Sequence, residues 1–218
     1  MYIVRETRFP LGSLYHIVTT DCGYNEYQPA RPCKRPFLFF KTSQATMIIL
    51  RHCESEFNRL YNLSGRDPAV TDPSLSAHGQ DHAYALVEEL SHKGISRILV
   101  SPFTRALQTA APIARALGLT PQITPLVRER GMYSCDVGSP ASVLAQDWPH
   151  LDFSHLPEQW WSPLPEPDHA LSQRAEHFRQ QMRREAQDGQ TLVVSHWWFL
   201  LELSGQSLEN GDWLPLSP

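Results

Sequence analysis

The sequence MIILRHCESEFN spans residues 47–58 and changes character at its midpoint. Four apolar residues form a run typical of a buried strand, and Arg51 and His52 follow directly. Ligands of open α/β sheets collect at the carboxyl ends of the strands, so a cation beside an imidazole at this position favours a functional site. An isolated Arg-His pair is more often a hydrogen-bonded strand end, so this interpretation requires partners further along the chain.

Such partners follow in a fixed order. Asn58 closes the first motif, and five segments follow it: SGRDP (64–68), TDPSLSAHGQDHA (71–83), SPFTRALQTA (101–110), LVRER (126–130) and VVSHWW (193–198). This series resembles the histidine phosphatase superfamily, which includes phosphoglycerate mutases and many phosphomonoesterases. The resemblance extends over residues 47–214. It implies an α/β fold, a phosphoglycerate mutase-like three-layer α/β/α sandwich with a mostly parallel central sheet.

The resemblance implies that Arg51, His52, Arg105 and His196 surround a phosphoryl group. A phosphate monoester carries about two negative charges at neutral pH, and planar guanidinium groups bind its oxygens while keeping their charge when desolvated. His196 follows the apolar run 191–194, so we expect it on the same sheet edge as His52. The candidate substrate-binding residues beside these are Asn58, Ser64 and Gly65.

His52 is the candidate nucleophile. Neutral imidazole presents an unprotonated ring nitrogen when the other nitrogen is held as a donor, commonly by a backbone carbonyl. In-line attack on phosphorus forms a phosphohistidine, and the departing alkoxide requires a proton. The resemblance implies that the acid is Glu129, which follows the expected strand 122–127. In the alternative interpretation Glu129 is a solvated carboxylate that pairs with Arg128 and Arg130.

Two residues depart from the pattern of the family. Cys53 stands where most members have glycine after Arg-His, and Trp197 stands where glycine commonly follows the second histidine. Cys53 also creates a rival interpretation, because His52, Cys53 and Arg59 fit the HC-x5-R signature of cysteine-dependent phosphatases. That loop requires a low thiol pKa and converging backbone amides. Two glutamates and no glycine lie between Cys53 and Arg59, which favours the histidine mechanism.

Composition is typical of a soluble, enzyme-sized domain. The 218 residues are 41% hydrophobic and 19% charged, with a net charge of −4. This charge argues against a nucleic-acid partner, and no apolar run reaches the roughly 18 residues of a membrane span. The four cysteines lack metal-ligand spacing, which favours reduced thiols and a cytoplasmic location. We expect a small phosphate ester as partner and leave a homodimer open, and the resemblance implies neither cofactor nor metal.

The pattern of the chain changes at Met47. Residues 1–46 carry four prolines and the apolar cluster PFLFF (36–40) without a sustained helical or strand period, and we expect an added arm of unknown role. Residues 47–218 form the expected catalytic domain, in which strand and helix patterns alternate. The predicted helices are 76–90, 103–117, 171–186 and 197–203, and the further predicted strands are 95–100 and 212–214, the latter stopped by Pro215.

Residues 131–170 are the expected specificity region. They follow the acid, contain six prolines and read mostly as loop. Trp148, Trp160 and Trp161 either wall the pocket or form a small core of the loop itself. The three histidines of this region match no metal-ligand spacing.

These residues favour a phosphoric monoester hydrolase, similar to the histidine acid phosphatases, that acts through a phosphohistidine. Mutase-type phosphoryl transfer is the alternative. Mutases of the resembling family carry a longer and more basic stretch after the acid than this chain does, which favours hydrolysis here. A catalytically inactive phospho-ligand binder is the other alternative, with Cys53 and Trp197 as signs of decay. The presence of all five candidate catalytic residues argues against it.

Overall fold

The computed structural model separates the chain into two compact units, Met1–Gln44 and Ala45–Pro218. The residues that the structure describes are 2–8, 14–20, 47–185 and 189–217. In the first unit, strands β1 (Tyr2–Arg8) and β2 (Leu14–Thr20) pair antiparallel. The prediction that residues 1–46 lack a strand period is wrong for these two stretches. Both are rich in strand-favouring residues. The PFLFF cluster lies outside the described residues, and the role of the arm stays a prediction.

The second unit contains a five-stranded sheet with the strand order β5-β4-β6-β3-β7. Its strands are β3 (Met47–Arg51), β4 (Ile95–Val100), β5 (Gln122–Ile123), β6 (Gln190–Ser195) and β7 (Trp213–Leu216). The first four run parallel, and β7 pairs antiparallel with β3. Ile48 and Leu50 are buried on one face of the sheet, and Met47 and Ile49 on the other. A strand buried on both faces reads as an unbroken apolar run, as MIIL does.

The described residues contain six helices. They are α1 (Glu56–Ser64), α2 (Ala77–Leu90), α3 (Thr104–Leu117), α4 (Ala141–Asp147), α5 (Asp168–Arg184) and α6 (Trp197–Ser204). Apolar residues of α2, α3 and α4 pack in one buried cluster, and those of α5 and α6 pack in the other. The predicted three-layer α/β/α fold is confirmed. None of these helices combines the length and the apolar character that a membrane span requires.

Most predicted helix boundaries agree with the structure. The Ser76 hydroxyl caps α2 by accepting the Gly79 N–H at 3.0 Å, and Gly118 ends α3 in the left-handed conformation with φ 65°. Helix α5 begins at Asp168, three residues before the predicted start. We did not predict α1, which begins at a capping box formed by Ser55 and Asn58.

Two strand predictions need correction. The expected strand 122–127 is a strand only at Gln122–Ile123, because the chain turns into a short 3₁₀ helix at Pro125–Val127. Pro215 was expected to stop the last strand, but it lies inside β7 opposite Ile48. β7 is an edge strand of the described sheet, where a residue without an N–H is tolerated.

Helix α2 packs tightly on the loop that follows His52. The Ser76 backbone N–H donates to the Glu54 carbonyl oxygen at 2.9 Å, and the Ser76 hydroxyl donates to the Glu54 carboxylate at 2.6 Å. A Cβ at Gly79 would collide with the same Glu54 carbonyl. Glycine is therefore required here, and the contact fixes the backbone two residues beyond His52.

We predict that Gly79→Ala lowers the free energy of unfolding by about 1–3 kcal/mol, because the added methyl group overpacks this contact. Urea denaturation measures the change. Asp81→Ala, an exposed position of the same helix, is the control and should stay within about 0.5 kcal/mol of the parent. Equal stability of the parent and Gly79→Ala would contradict the packing argument.

Candidate active site

His52 and His196 lie side by side because the strands that precede them are neighbours. Strands β3 and β6 pair in parallel with Arg51 opposite Ser195, so the next residue of each strand emerges at the same carboxyl edge. The His52 backbone N–H donates to the Ser195 carbonyl at 2.9 Å. The two imidazole rings are buried, and their centroids are 5.0 Å apart.

The environment of His52 fixes both its charge and its tautomer. Its Nδ1 lies 2.7 Å from the Cys53 carbonyl oxygen, which can only accept, so Nδ1 carries a proton. Burial lowers the pKa of His52 well below its usual 6.5, and the positive charges of Arg105 and Arg51 lower it further. The ring is therefore neutral near pH 7, and its Nε2 is unprotonated.

His196 is held from the neighbouring strand β4. Its Nε2 lies 2.7 Å from the Ser101 hydroxyl, and Phe103 packs edge-to-face on the ring with a centroid distance of 5.1 Å. Its Nδ1 is buried and has no hydrogen-bond partner among the described residues. Burial, followed by the charge of Arg105, lowers the pKa of His196 well below the usual value. The neutral ring thus has one nitrogen committed to Ser101.

Two arginines contribute the positive charge of the site. Arg105 lies in the first turn of α3, where its buried guanidinium donates to the Cys135 carbonyl at 2.8 Å and to Asp136 at 3.2 Å. Arg51 donates through Nη1 to the Leu208 carbonyl at 2.8 Å, and its Nε is buried without a partner among the described residues. Burial lowers the pKa of Arg51.

Glu129 is a buried carboxyl held by backbone N–H groups. Its Oε1 accepts from Arg130 at 2.9 Å, from Trp198 at 3.1 Å and from Phe199 at 3.3 Å. Burial raises the pKa of Glu129 to about 7, and the negative charge of Asp136 adds to this effect. A carboxyl with such a pKa can donate and accept a proton near neutral pH.

The alternative in which Glu129 is a solvated partner of its two neighbouring arginines is wrong. Arg128 donates to Glu166 at 3.3 Å and to Ser162 at 2.8 Å. Arg130 pairs with Asp168 and lies over the Trp198 ring at 5.1 Å from its centroid. Because both arginines are engaged by other groups, they do not hold Glu129 in its ionised form.

The three candidate substrate-binding residues separate along α1. Asn58 lies in the first turn, and its Oδ1 accepts from the Ser55 N–H at 3.1 Å and from Asn210 at 3.3 Å. Ser64 and Gly65 end the helix, about 9 Å further along its axis. The Ser64 hydroxyl donates to the Leu60 carbonyl, and Gly65 is the C-cap. Among the described residues, the hydrogen bonds of the Ser64 hydroxyl are local to the end of α1, and the role of Ser64 and Gly65 in binding substrate stays a prediction.

Cys53 is a core residue. Its side chain is fully buried, and burial raises the pKa of the thiol to about 12. Its backbone N–H donates to the Thr109 hydroxyl at 3.0 Å. Arg59, the cation of the rival signature, pairs instead with Glu56 at 2.8 Å on the surface of α1. A protonated, buried thiol is a poor nucleophile, so the rival cysteine interpretation is wrong.

The three tryptophans of the specificity region pack in or against the buried cluster that contains α2, α3 and α4. Trp160 is buried, donates to the Ser139 carbonyl at 2.9 Å and packs edge-to-face on Trp161. It also meets Phe103, with 4.7 Å between ring centroids, and so supports the residue that packs on His196. Outside this region, Trp197 donates to the Ser207 hydroxyl at 2.9 Å. Within the described residues, no group of three or more His, Cys, Asp or Glu side chains has a metal-binding arrangement.

The loop before β7 contributes contacts that the sequence analysis did not anticipate. The Asn210 side chain donates to the His52 carbonyl at 3.0 Å, and the Gly211 N–H donates to the Arg51 carbonyl at 3.1 Å. With the Leu208 carbonyl that accepts from Arg51, this loop holds the Arg-His motif from the side opposite β6. Its position just before an antiparallel neighbour of β3 was the available signal for Asn210.

The geometry agrees with the comparison to known proteins. Residues 47–216 match the family described as the histidine phosphatase superfamily (branch 1). The chain belongs to this family. It is 28% identical over 160 residues to phosphoserine phosphatase 1 of Hydrogenobacter thermophilus, covering 69% of this chain and 70% of that one. Over 86 residues it is 31% identical to a protein of Yersinia enterocolitica named "probable phosphoglycerate mutase", covering 39% of this chain and 38% of that one.

A structural comparison gives the same fold. The mycobacterial glucosyl-3-phosphoglycerate phosphatase superposes with a TM-score of 0.53 at 19% identity, covering 78% of this chain and 89% of that one. At this identity the likeness concerns the architecture alone. Family membership and the phosphatase and mutase relatives together support a phosphatase or mutase activity.

Substitution of His52 and of Cys53 tests which of the two side chains is required for turnover. We predict that His52→Ala lowers the turnover of 4-nitrophenyl phosphate by at least about a thousandfold, because no other group replaces the nucleophile. Cys53→Ala should retain the turnover of the parent within about tenfold, because the thiol lies in the core. A spectrophotometric assay of both variants checks the pair. An inactive Cys53 variant beside an active His52 variant would reverse the assignment.

Proposed function

We propose that this protein is a phosphomonoesterase that hydrolyses a small phosphorylated substrate through a phosphohistidine at His52. The observation that carries the proposal is the 2.7 Å contact between His52 Nδ1 and the Cys53 carbonyl. It leaves the Nε2 lone pair as the reactive position of a buried, neutral ring. His196 lies next to this ring, and the charges of Arg51 and Arg105 reach it, which suits a phosphoryl group with about two negative charges.

Two buried nitrogens support phosphate binding at this position. Arg51 Nε and His196 Nδ1 lack partners among the described residues, and a buried polar group without a hydrogen bond costs about 1–3 kcal/mol. Phosphoryl oxygens are strong acceptors and would satisfy both donors. The Nδ1 of His196 donates in the tautomer whose Nε2 accepts from the Ser101 hydroxyl.

The reaction proceeds in two steps. In the first, His52 Nε2 bonds to phosphorus as the P–O bond to the alcohol breaks, and Glu129 gives its proton to the departing oxygen. In the second, ionised Glu129 takes a proton from water, whose oxygen bonds to phosphorus as the N–P bond breaks. Inorganic phosphate leaves, and both residues return to their starting states. A Glu129 pKa of about 7 suits a group that must act first as acid and then as base.

Hydrolysis is favoured over mutase-type transfer by the surroundings of the acid. A phosphoglycerate mutase must hold a second anionic group of its substrate. The cations that flank Glu129 are each engaged with a carboxylate, Arg128 with Glu166 and Arg130 with Asp168. The phosphatase relative that covers most of this chain also favours hydrolysis.

We also propose a cytoplasmic location, which the free thiols of Cys53 and Cys135 support.

Trapping of the covalent intermediate tests this function. Glu129→Gln still transfers the phosphoryl group of 4-nitrophenyl phosphate, since nitrophenolate departs without a proton, but it lacks the base for the second step. We predict that this variant accumulates an acid-labile, alkali-stable phosphoenzyme, detected by intact-protein mass spectrometry after an alkaline quench. The double variant with His52→Ala should accumulate none. Turnover by the parent together with an unlabelled Glu129→Gln variant would contradict the phosphohistidine route.

The pH dependence follows from the two perturbed groups. His52 must be unprotonated, so kcat/KM for benzyl phosphate should rise with pH through the lowered His52 pKa, below 6.5. Glu129 must be protonated to assist the poor benzyl alcohol leaving group, so the same quantity should fall above about pH 7. We predict that Glu129→Gln loses this falling limb. Persistence of the limb in the variant would assign it to another group.

A further inference from the structure

The segment that carries Glu129 leaves the central sheet before it reaches the acid. Strand β5 ends at Ile123, and the last sheet-type hydrogen bond is donated by the Thr124 N–H to the Val100 carbonyl at 2.9 Å. Residues 125–129 therefore need other partners for their buried backbone groups. In most of this segment, side chains from distant parts of the chain provide them.

Arg174 of helix α5 is the principal one of these side chains. Its Nη1 donates to the Arg128 carbonyl at 2.7 Å and to the Leu126 carbonyl at 2.9 Å, and its Nη2 approaches the Glu129 carbonyl at 3.5 Å. The Val127 carbonyl between them accepts from the Ser195 hydroxyl at 2.7 Å. Four consecutive carbonyl groups up to and including the acid are thus held by two side chains.

The Arg174 guanidinium is itself held in one orientation. Nε and Nη2 donate to the two carboxylate oxygens of Glu166 at 3.3 and 2.8 Å, and both side chains are buried. The Phe199 ring lies 5.1 Å from the guanidinium carbon. A bidentate ion pair on a planar cation fixes its orientation, and a lysine ammonium with three donors cannot serve all of these acceptors together.

We propose that Arg174 is a positioning residue for the general acid. This inference rests on the proposed role of Glu129. Arg174 acts through the backbone, because it holds the carbonyls of residues 126, 128 and 129 while the carboxyl of Glu129 is held from the other side by the start of α6. Without the guanidinium, the carboxyl shifts relative to the leaving oxygen, and a displacement of about 1 Å costs up to about a hundredfold in rate.

Leaving-group dependence separates this role from a merely structural one. Benzyl phosphate and 4-nitrophenyl phosphate are of similar size, but only the benzyl alcohol needs a proton as it departs. We predict that Arg174→Lys lowers kcat/KM for benzyl phosphate by about tenfold or more and for 4-nitrophenyl phosphate by less than about threefold. The ratio kcat/KM covers only the steps up to release of the alcohol, so the second step does not enter. Equal losses on both substrates would overturn the proposal.

Arg179 of the same helix is the matched control. It also donates to backbone carbonyls, those of Glu202 and Leu203 at the far end of α6. Arg179→Lys should change kcat/KM for the two substrates by the same factor. A selective loss of benzyl phosphate turnover in this variant would overturn the assignment to Arg174.

Two further variants keep the outcome decisive. If Arg174→Lys shows no cooperative thermal unfolding, Arg174→Gln removes the clamp while Glu166 keeps its pair with Arg128, and the same criterion applies. Glu129→Gln is measured beside them. If Glu129→Gln lowers kcat/KM for both substrates by the same factor, the proposed role of Glu129 as the acid is refuted. Selectivity in Glu129→Gln but not in the Arg174 variants would refute only the positioning role.

Discussion

Buried positive charge at the carboxyl edge of the sheet is the constraint on which the rest of the site depends. Arg51 and Arg105 lower the pKa of His52 beyond the effect of burial, and Arg105 does the same to His196. The charge of Arg105 also opposes that of Arg51, whose own pKa burial lowers. Burial and these cations keep both imidazoles neutral, and in the proposed reaction a phosphoryl dianion offsets the repulsion between the two guanidinium groups. In the proposed mechanism, the same two arginines therefore favour both the neutral form of His52 and the binding of phosphate.

The two buried carboxyl groups near Arg105, Asp136 and Glu129, differ in their partners. Asp136 pairs with the Arg105 guanidinium and also accepts from the N–H groups of Met132 and Tyr133. Glu129 accepts from backbone N–H groups, and burial together with the charge of Asp136 raises its pKa to about 7. A raised pKa suits Glu129 for the acid role proposed above. Both carboxyl groups are buried near Arg105, but Asp136 pairs directly with its guanidinium.

The sequence predicted those parts of the fold and site that local patterns control. The apolar runs before Arg51 and His196 identified two strand ends, and parallel pairing of those strands brings the residues together. Ser101 and Asn210 escaped notice because their partners are 95 and 158 positions away in the chain. The predicted strand 122–127 was too long, because apolar residues continue past Pro125, where the chain turns into a 3₁₀ helix. Tertiary contacts, not local propensity, decide such positions.

The β1–β2 hairpin and helix α1 were not predicted, although the sequence carries local signals for both. Both strands are rich in β-branched residues, and the Ser55 and Asn58 pair forms a capping box. Asn58 of this helix is also a predicted substrate-binding residue, and that role stays a prediction. Its Oδ1 completes the capping box and accepts from Asn210, so Asn58 secures the backbone next to His52.

The start of α6 links the acid to the second histidine. His196 is the N-cap of this helix, and the N–H groups of Trp198 and Phe199, two and three residues later, donate to the Glu129 carboxyl. The positive end of a helix favours an ionised carboxylate by roughly 0.3–1 kcal/mol at exposed sites, which lowers the pKa. Burial outweighs this effect, since the pKa of Glu129 rises to about 7. The start of α6 thus fixes the Glu129 carboxyl relative to His196, while burial raises the pKa of that carboxyl.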